Sequence, residues 1–506
     1  MFFQGFDLAA LNLTLAAPEI FLLVMSCVIL LLDLMVKSPR RTVTFSLTQI
    51  TLLGALLLTW LTRPGSLADL FAFNGMFIND RLAVFLKLLL YLVVLLTLAY
   101  SRRYLCERPE MCKGEYFVLA LLATLGMSVM ISANHFLPLY LGLEIMSLAL
   151  YAMTAMQRDS AVATEAAMKY FVLGAMASGF LLYGMSMIYG ATESLYLPEI
   201  GMRLSELHTY GFASADLVLA LGVVFLVAAI GFKLGAAPFH MWLPDVYHGA
   251  PTAATLFIAA APKLAGFALM LRLLVAALPE QQTDWQSMLM VLAMFSIMLG
   301  NLVALAQTNL KRMLAYSAIS HMGFMLIGIA STQIQTFDEA LASSLFYLIS
   351  YVLMTLAAFG ILLLFARGGF EADELAHYKG LNQRHPWFAA MMMIVMLSMA
   401  GIPFFVGFWA KFYVLKTAVH SGFLWLAIVA ILFSVVGAFY YLRVIKYMYF
   451  DEPDAAAAAR IDSGFWIKTL VSLNALGVAF LGLFPDVLLL LSRLSAISLL
   501  MMRQYY

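Results

Sequence analysis

The chain has 506 residues and a formal net charge of +1; 64% of its residues are hydrophobic and only 11% are charged. Soluble domains carry about 25% charged and roughly 45–50% apolar residues, so this composition excludes a soluble globular protein and places the chain in a lipid bilayer. A net charge so close to zero offers nothing to attract nucleic acid.

The opening stretch, MFFQGFDLAALNLTLAAPEIF, has no basic region before its first apolar run, so no cleaved leader is expected. Apolar runs long enough to cross a hydrocarbon core of about 30 Å as helices then recur to the end of the chain. They predict about fourteen spans, at 15–35, 43–62, 81–101, 114–132, 135–157, 166–189, 215–237, 253–277, 286–308, 313–331, 340–366, 387–419, 422–447 and 464–484. The last segment, PDVLLLLSRLSAISLLMMRQYY, starts at a proline and mixes polar residues into an apolar stripe, which predicts an interfacial amphipathic helix. An all-α polytopic membrane protein follows.

Loop charges orient it. Alternate loops hold Lys37, Arg40 and Arg41; Arg102, Arg103, Arg108 and Lys113; Arg158; Lys311 and Arg312; Arg367, Lys379 and Arg384; and Arg443, Lys446 and Arg460. About sixteen basic residues on one side against roughly five on the other make the first side cytoplasmic and leave both termini facing away from it, periplasmic in a bacterial inner membrane.

Spans four to eight overlay on spans nine to thirteen. Five is odd, so the second unit enters from the opposite face and the two repeats are inverted. The expected divisions are an N-terminal three-helix segment (1–113), a first five-helix repeat (114–277), an inverted second repeat (285–447) and a C-terminal span plus amphipathic helix (464–506). The fourth member of each repeat is interrupted at a comparable place, in LGAAPFHMW around Pro238 and in MAGIPFFVGFW around Pro403. Paired Gly/Pro-broken segments point to a transporter's ion or substrate site.

The breaks lie near charges that lipid does not welcome. Glu144 sits on span five, Lys233 on span seven, Lys263 on span eight and Lys411 on span twelve. Each central charge costs roughly 2.5–3.5 kcal/mol unless paired or hydrated. One buried ion pair fixing helix register accounts for only two of the four. Desolvation works against a charged lysine and a carboxylate beside it works for it. Moving Glu144 toward or away from Lys233 by a few ångströms therefore loads or releases a proton. Unwound backbone at membrane depth is tolerated where it lines a watery cavity, so the break beside Lys233 is expected to let water reach it.

Other polar residues have plainer readings beside functional ones. Lys87 and Lys468, near span ends, are expected to snorkel to the interface. Lys169 either feeds Lys233 or snorkels, and Lys416 either relays or snorkels. Arg272 is expected to be structural. His240, His248 and His321 can pass protons near neutral pH, although a satisfied polar histidine is the commoner case. Cys27, Cys106 and Cys112 lack metal-site spacing, and no nucleotide or zinc motif sits in a polar segment, so neither a cofactor nor a metal is expected on this chain.

HMWLPDVYHGAPTAAT at 240–255, followed by Lys263, resembles the signature of the antiporter-like proton-pumping subunits of respiratory complex I and of Mrp-type cation/proton antiporters. NLVALAQTNLKRMLAYSAISHMG at 301–323 is similar to the same superfamily, and AGIPFFVGFWAKFYVL at 400–415 resembles its subunit N branch. The resemblance implies fourteen helices with two inverted five-helix repeats. It also implies a coupling pair at Glu144 and Lys233, a central relay at Lys263 and a distal residue at Lys411. Other membrane-arm subunits, further antiporter-like chains among them, are the implied partners, and they hold the FMN, the iron–sulfur clusters and the quinone. The competing readings are an Mrp-type Na⁺(K⁺)/H⁺ antiporter subunit and a membrane-arm subunit that no longer pumps.

Overall fold

Lipid offers backbone amides no partner, so a chain this apolar has to satisfy them within each segment, and it does so as helices. The computed structural model describes residues 11–65, 70–210, 213–366, 369–453 and 464–505. Arg367 and Arg460, counted above among the loop charges, lie outside them.

The N-terminal segment holds α1 (Ala17–Asp33), α2 (Thr42–Leu61) and α3 (Arg81–Cys106), with a hairpin of β1 (Phe71–Ala72) and β2 (Phe77–Ile78) before α3. There follow α4 (Gly114–Ile131), α5 (Phe136–Thr154), α6 (Ala161–Thr192), a connecting α7 (Leu197–Tyr210), α8 (Ala213–Leu234), the short α9 (Trp242–Gly249) and α10 (Thr252–Met270). A π-helical turn over Leu271–Ala276 prolongs α10. Next come α11 (Gln282–Leu305), α12 (Leu310–Ala330), α13 (Phe337–Phe365), the single turn α14 (Leu381–Arg384), α15 (Pro386–Ala400), α16 (Val406–His420) and α17 (Leu424–Tyr449). The chain closes with α18 (Phe465–Leu483) and α19 (Pro485–Tyr505). Among the described residues twelve helices are long and apolar enough to cross a membrane; α1 and the interrupted α15–α16 pair bring the spans to fourteen. The hairpin and α7 were not anticipated from the sequence.

Helix starts follow local chemistry. Pro18 and Pro386 open α1 and α15, where a missing N–H costs nothing. Asp80 accepts the Ala83 amide at 2.7 Å, and Asn309 accepts that of Arg312 at 3.0 Å. Lipid gives helices no hydrophobic reason to meet, so close packing of small residues takes over. Gly126 on α4 and Gly142 on α5 do this: a Cβ on Gly126 would stand 2.5 Å from the Gly142 carbonyl and 2.6 Å from the Met146 amide. The antiparallel pair α11–α12 repeats the device at Gly300 and Gly323. At the centre of the molecule every residue of α10 is buried, and α12 and α13 are nearly so. By contrast, α2, α17 and α18 turn rows of apolar side chains outward.

Three polar ties hold this scaffold. Lys87 corrects the snorkelling expectation: it is fully buried and pairs with Glu19 of α1 at 3.0 Å. Ser128 of α4 donates to the same carboxylate oxygen at 2.5 Å. The β1–β2 hairpin closes over the start of α3, with the Phe77 ring 4.9 Å from the Lys87 ammonium, and blocks its way to the interface. Arg272 is structural, as expected: its guanidinium forks onto both oxygens of Asp80 at 2.8 and 2.9 Å. Glu371, in the loop before α14, accepts from Tyr104 at 2.7 Å, Arg108 at 2.9 Å and Thr252 at 2.6 Å, tying α3 to the start of α10. Burial alone would raise the Glu371 carboxyl, but the Lys311 and Arg108 cations and the hydroxyl donors outweigh it and hold the group below the usual glutamate value.

Candidate functional site

Two half-helices end in the same way. At the end of α8, Gly235 adopts the left-handed conformation (φ +78°) and the Ala236 amide reaches back to the Gly231 carbonyl at 2.7 Å. At the end of α15, Gly401 is left-handed (φ +89°) and the Ile402 amide reaches back to Leu397 at 3.0 Å. This turn needs a residue without a Cβ penalty at positive φ, and the final carbonyls of the helix are left without an intrahelical partner. Pro238 and Pro403 follow and prevent the helix from resuming at once. The expected pair of interruptions is present, at residues 235–241 and 401–405.

A lysine serves each free helix end. Lys263 reaches across from α10 and donates to the Leu234 carbonyl at 2.7 Å. Lys411, on α16, donates back to the Ala400 carbonyl at 2.9 Å and to Ser434 of α17 at 2.8 Å. The negative end of a helix dipole favours a cation there, so both ammonium groups have a local reason to reside inside an apolar core. An aromatic face adds to this in each case: Trp242 lies 5.8 Å from the Lys263 ammonium and Phe324 lies 5.4 Å from that of Lys411.

Lys233, in the last turn of α8, faces α5 and donates to Ser147 at 2.9 Å. Glu144 lies one turn back on the same helix. No ion pair within 4.0 Å joins it to Lys233 among the described residues, and its Oε1 is buried without a hydrogen-bond partner. The glutamate is half-buried, and its neighbours Leu137, Leu141, Ile145 and Leu148 form an exposed apolar face of α5. Lys233 and Lys263 line one cavity with Met130, Tyr170, Phe232 and Trp242. Its volume of about 10 Å³ holds about one water molecule. Among the described residues, the cavity that Lys233 and Lys263 share is thus small. The groups freed by the break beside Lys233 find protein partners: the Ala237 amide donates to Ser296 at 2.8 Å, and the Trp242 indole donates to the Phe232 carbonyl at 2.9 Å.

Between Lys263 and Lys411 the core is polar. His321 on α12 is buried, with Nδ1 2.7 Å from the Tyr347 hydroxyl and Nε2 3.2 Å from that of Tyr441. The Tyr441 hydroxyl is 2.5 Å from Ser317. Tyr351 stands beside His321, with ring centroids 5.5 Å apart, and donates to the Ala259 carbonyl one turn before Lys263 at 3.4 Å. Tyr347 stacks on Phe324, the ring beside Lys411. An imidazole bonded through both nitrogens to hydroxyls can accept a proton on one side while giving one up on the other. These tyrosines were not picked out from the sequence. Their one signal was SSLFYLISYV, where Tyr347 and Tyr351 are four apart on a helix face buried all round.

The remaining sequence candidates lie elsewhere. Lys169 is partly exposed and bridges Glu165 at 2.8 Å and Asp245 at 2.7 Å, while Arg312 takes the other Asp245 oxygen at 2.7 Å. That network joins α6, α9 and α12 without touching Lys233. His240 occupies the break itself, half-buried, and its Nδ1 has no partner. His248, near the end of α9, lies within electrostatic reach of Lys311 and Asp373.

Residues 133–437 match the family described as NADH:quinone oxidoreductase/Mrp antiporter, TM. NADH-quinone oxidoreductase subunit N of Nitrosomonas europaea is 53% identical over 96% of this chain and 98% of its own length. Its counterpart in Azoarcus is 54% identical over 93% of this chain and 95% of its own. Among solved structures, a chain of Thermus thermophilus respiratory complex I with bound aureothin superposes with a TM-score of 0.77 at 32% identity, covering 93% of this chain and 98% of that one. A chain of the Mrp complex from Dietzia shares the fold, with a TM-score of 0.79 at 21% identity over 97% of each.

Proposed function

Because the chain belongs to the NADH-quinone oxidoreductase subunit N family, we propose that it is a proton-translocating subunit in the membrane arm of that complex. The line of membrane-embedded groups from Glu144 through Lys233, Lys263 and His321 to Lys411 carries the proton. The observation that supports this best is that Lys263 and Lys411 each rest on the free carbonyl end of a broken helix. Two inverted repeats have thus built the same cation seat twice. Structural stability alone gives no reason to bury two unpaired lysines in this way.

In this reading, NADH oxidation and quinone reduction take place in partner subunits, which hold the flavin, the iron–sulfur clusters and the quinone. The energy reaches this chain as a change in the pairing of Glu144 and Lys233. Release of Lys233 alters the field at Lys263 across their shared cavity, and a single water there suffices to link the two amines. From Lys263 the proton moves along Tyr351, His321, Tyr347 and Tyr441 to Lys411. It leaves past Ser434 and the far half of the broken α16 segment. The basic loops support a loading side in the cytoplasm of a bacterium, with both termini on the far side of its inner membrane. The 53% identity to a subunit N favours this over an Mrp-type exchanger, to which the likeness is one of fold.

Lys263→Met, introduced into the whole complex and assayed in inside-out vesicles, tests the reading. NADH oxidation and proton uptake are followed together. Uptake per NADH should fall in vesicles whose complex is fully assembled; unchanged uptake, or uptake driven instead by a Na⁺ or K⁺ gradient without NADH, overturns it.

A further inference from the structure

Ser147 stands where the coupling event has to occur, and nothing above gives it a role. It is buried on α5, three residues beyond Glu144 and therefore on the same helix face, about 4.5 Å further along the axis. Its hydroxyl proton goes to the Leu143 carbonyl, at 2.7 Å. This leaves the oxygen's lone pairs free to receive the Lys233 ammonium at 2.9 Å. A serine held in this way is an oriented acceptor and cannot turn to act as a donor toward the lysine. One helical turn further on, the buried Tyr151 hydroxyl is walled in by Tyr170 and Gly174 and lies within reach of Ser147. Glu144 Oε1 is buried and unpartnered among the described residues. The α5 face beside Lys233 thus carries a carboxylate, a committed acceptor and a second hydroxyl at positions i, i+3 and i+7, with the lysine on the middle one.

We propose that Ser147 is a positioning residue that gives Lys233 a second resting place, so that pairing and unpairing is a short slide of one ammonium group along α5 between Glu144 and Ser147. The inference rests on the proton-pumping reading above and specifies its first step. A lysine cannot leave a carboxylate for an apolar void, because a buried charge without an acceptor is strongly disfavoured. A fixed hydroxyl one turn away makes the unpaired arrangement a populated state. A ligand or neighbour that displaces Glu144 then has to shift a balance between two seats, without ejecting a bare charge. Removing the hydroxyl tilts that balance toward Glu144 by about ten- to a hundredfold, the weight of a hydrogen bond to a charged group.

The test uses the complete complex in inside-out vesicles and four variants of this chain. Lys233→Met defines the share of NADH-driven proton uptake that depends on this lysine. Ser147→Ala should reduce that share at least tenfold, and Ser147→Thr, which keeps the hydroxyl, should restore most of it. Ser147→Cys keeps the volume and offers only a weak acceptor, so it should behave like alanine even if alanine assembles poorly. If Ser147→Cys or Ser147→Ala pumps as the unmodified complex does while Lys233→Met does not, the second resting place is wrong and the pumping reading stands. If Lys233→Met itself pumps normally, the pumping reading falls and the slide falls with it.

Discussion

Gly126→Ala is the substitution through which packing should reach the coupling site. The new Cβ would lie 2.5 Å from the Gly142 carbonyl oxygen and 2.6 Å from the Met146 nitrogen. Both are backbone atoms, so no side chain can swing aside. Comfortable contact begins near 3.5 Å, and α5 therefore has to retreat from α4 by about 1 Å. Glu144 lies midway between those two contact points, and Ser147 follows directly after, so the acceptor of Lys233 and its proposed second partner both move with the helix. Overpacking of this kind costs about 1–3 kcal/mol, which an assembled subunit can absorb. A misplacement of about 1 Å at a proton-transfer group can lower its rate roughly 10²-fold. In vesicles matched for complex content, Gly126→Ala should lower proton uptake per NADH far more than it lowers the thermal midpoint of the complex. Gly179→Ala serves as the control: nothing lies within 4 Å of a Cβ there, and alanine is the better helix former by about 1 kcal/mol. Normal pumping in Gly126→Ala, or an equal loss in Gly179→Ala, would refute the argument that helix spacing sets the geometry of Glu144.

Arg272→Met strands the Asp80 carboxylate in a site that is 1% exposed and should cost about 3–5 kcal/mol. Heat-inactivation midpoints of the complex should show this, and Asp80→Asn in the same chain, which keeps the cap on α3, should recover much of it. Tyr347→Phe keeps the ring stacked on Phe324 and removes the hydroxyl at His321. It should slow pumping roughly 10²-fold with unchanged assembly, and Tyr441→Phe should do the same from the other ring nitrogen. Glu371 titrates outside the spans. Its folded carboxyl is depressed, so its contribution is fully present above the unfolded value of about 4.3 and is lost as pH falls through the lower folded value. Acid inactivation of the complex should therefore lose part of its pH dependence in Glu371→Gln, and an unchanged acid profile would remove this carboxylate from the account.

The spans, their number and both interruptions could be read from the sequence, because lipid imposes a length on every apolar run and proline after glycine has few other uses within one. The intramembrane lysines were conspicuous for the same reason: each breaks a solvent rule. Residues that obey the rule were missed. Ser147 and Ser434 look like small packing residues in an apolar helix, and only the fold places them against Lys233 and Lys411. Lys87 was misread because its place near a predicted span end suggested an open route to the interface. A hairpin too short to leave a strand pattern covers that route, and the partner Glu19 is 68 residues away. Lys169, read as either a feeder or a snorkelling side chain, turned out to belong to a surface network built on Asp245, whose position in the short α9 depends on the break before it.

The half-buried position of Glu144, at the rim of the molecule among outward-facing leucines, bears on how such a chain is made. An isolated copy released into the bilayer presents a carboxylate at its lipid boundary, and among the described residues no hydrogen bond reaches its buried Oε1. A neighbouring subunit that covered that edge would relieve the cost, so the carboxylate proposed to couple the complex would also favour its assembly.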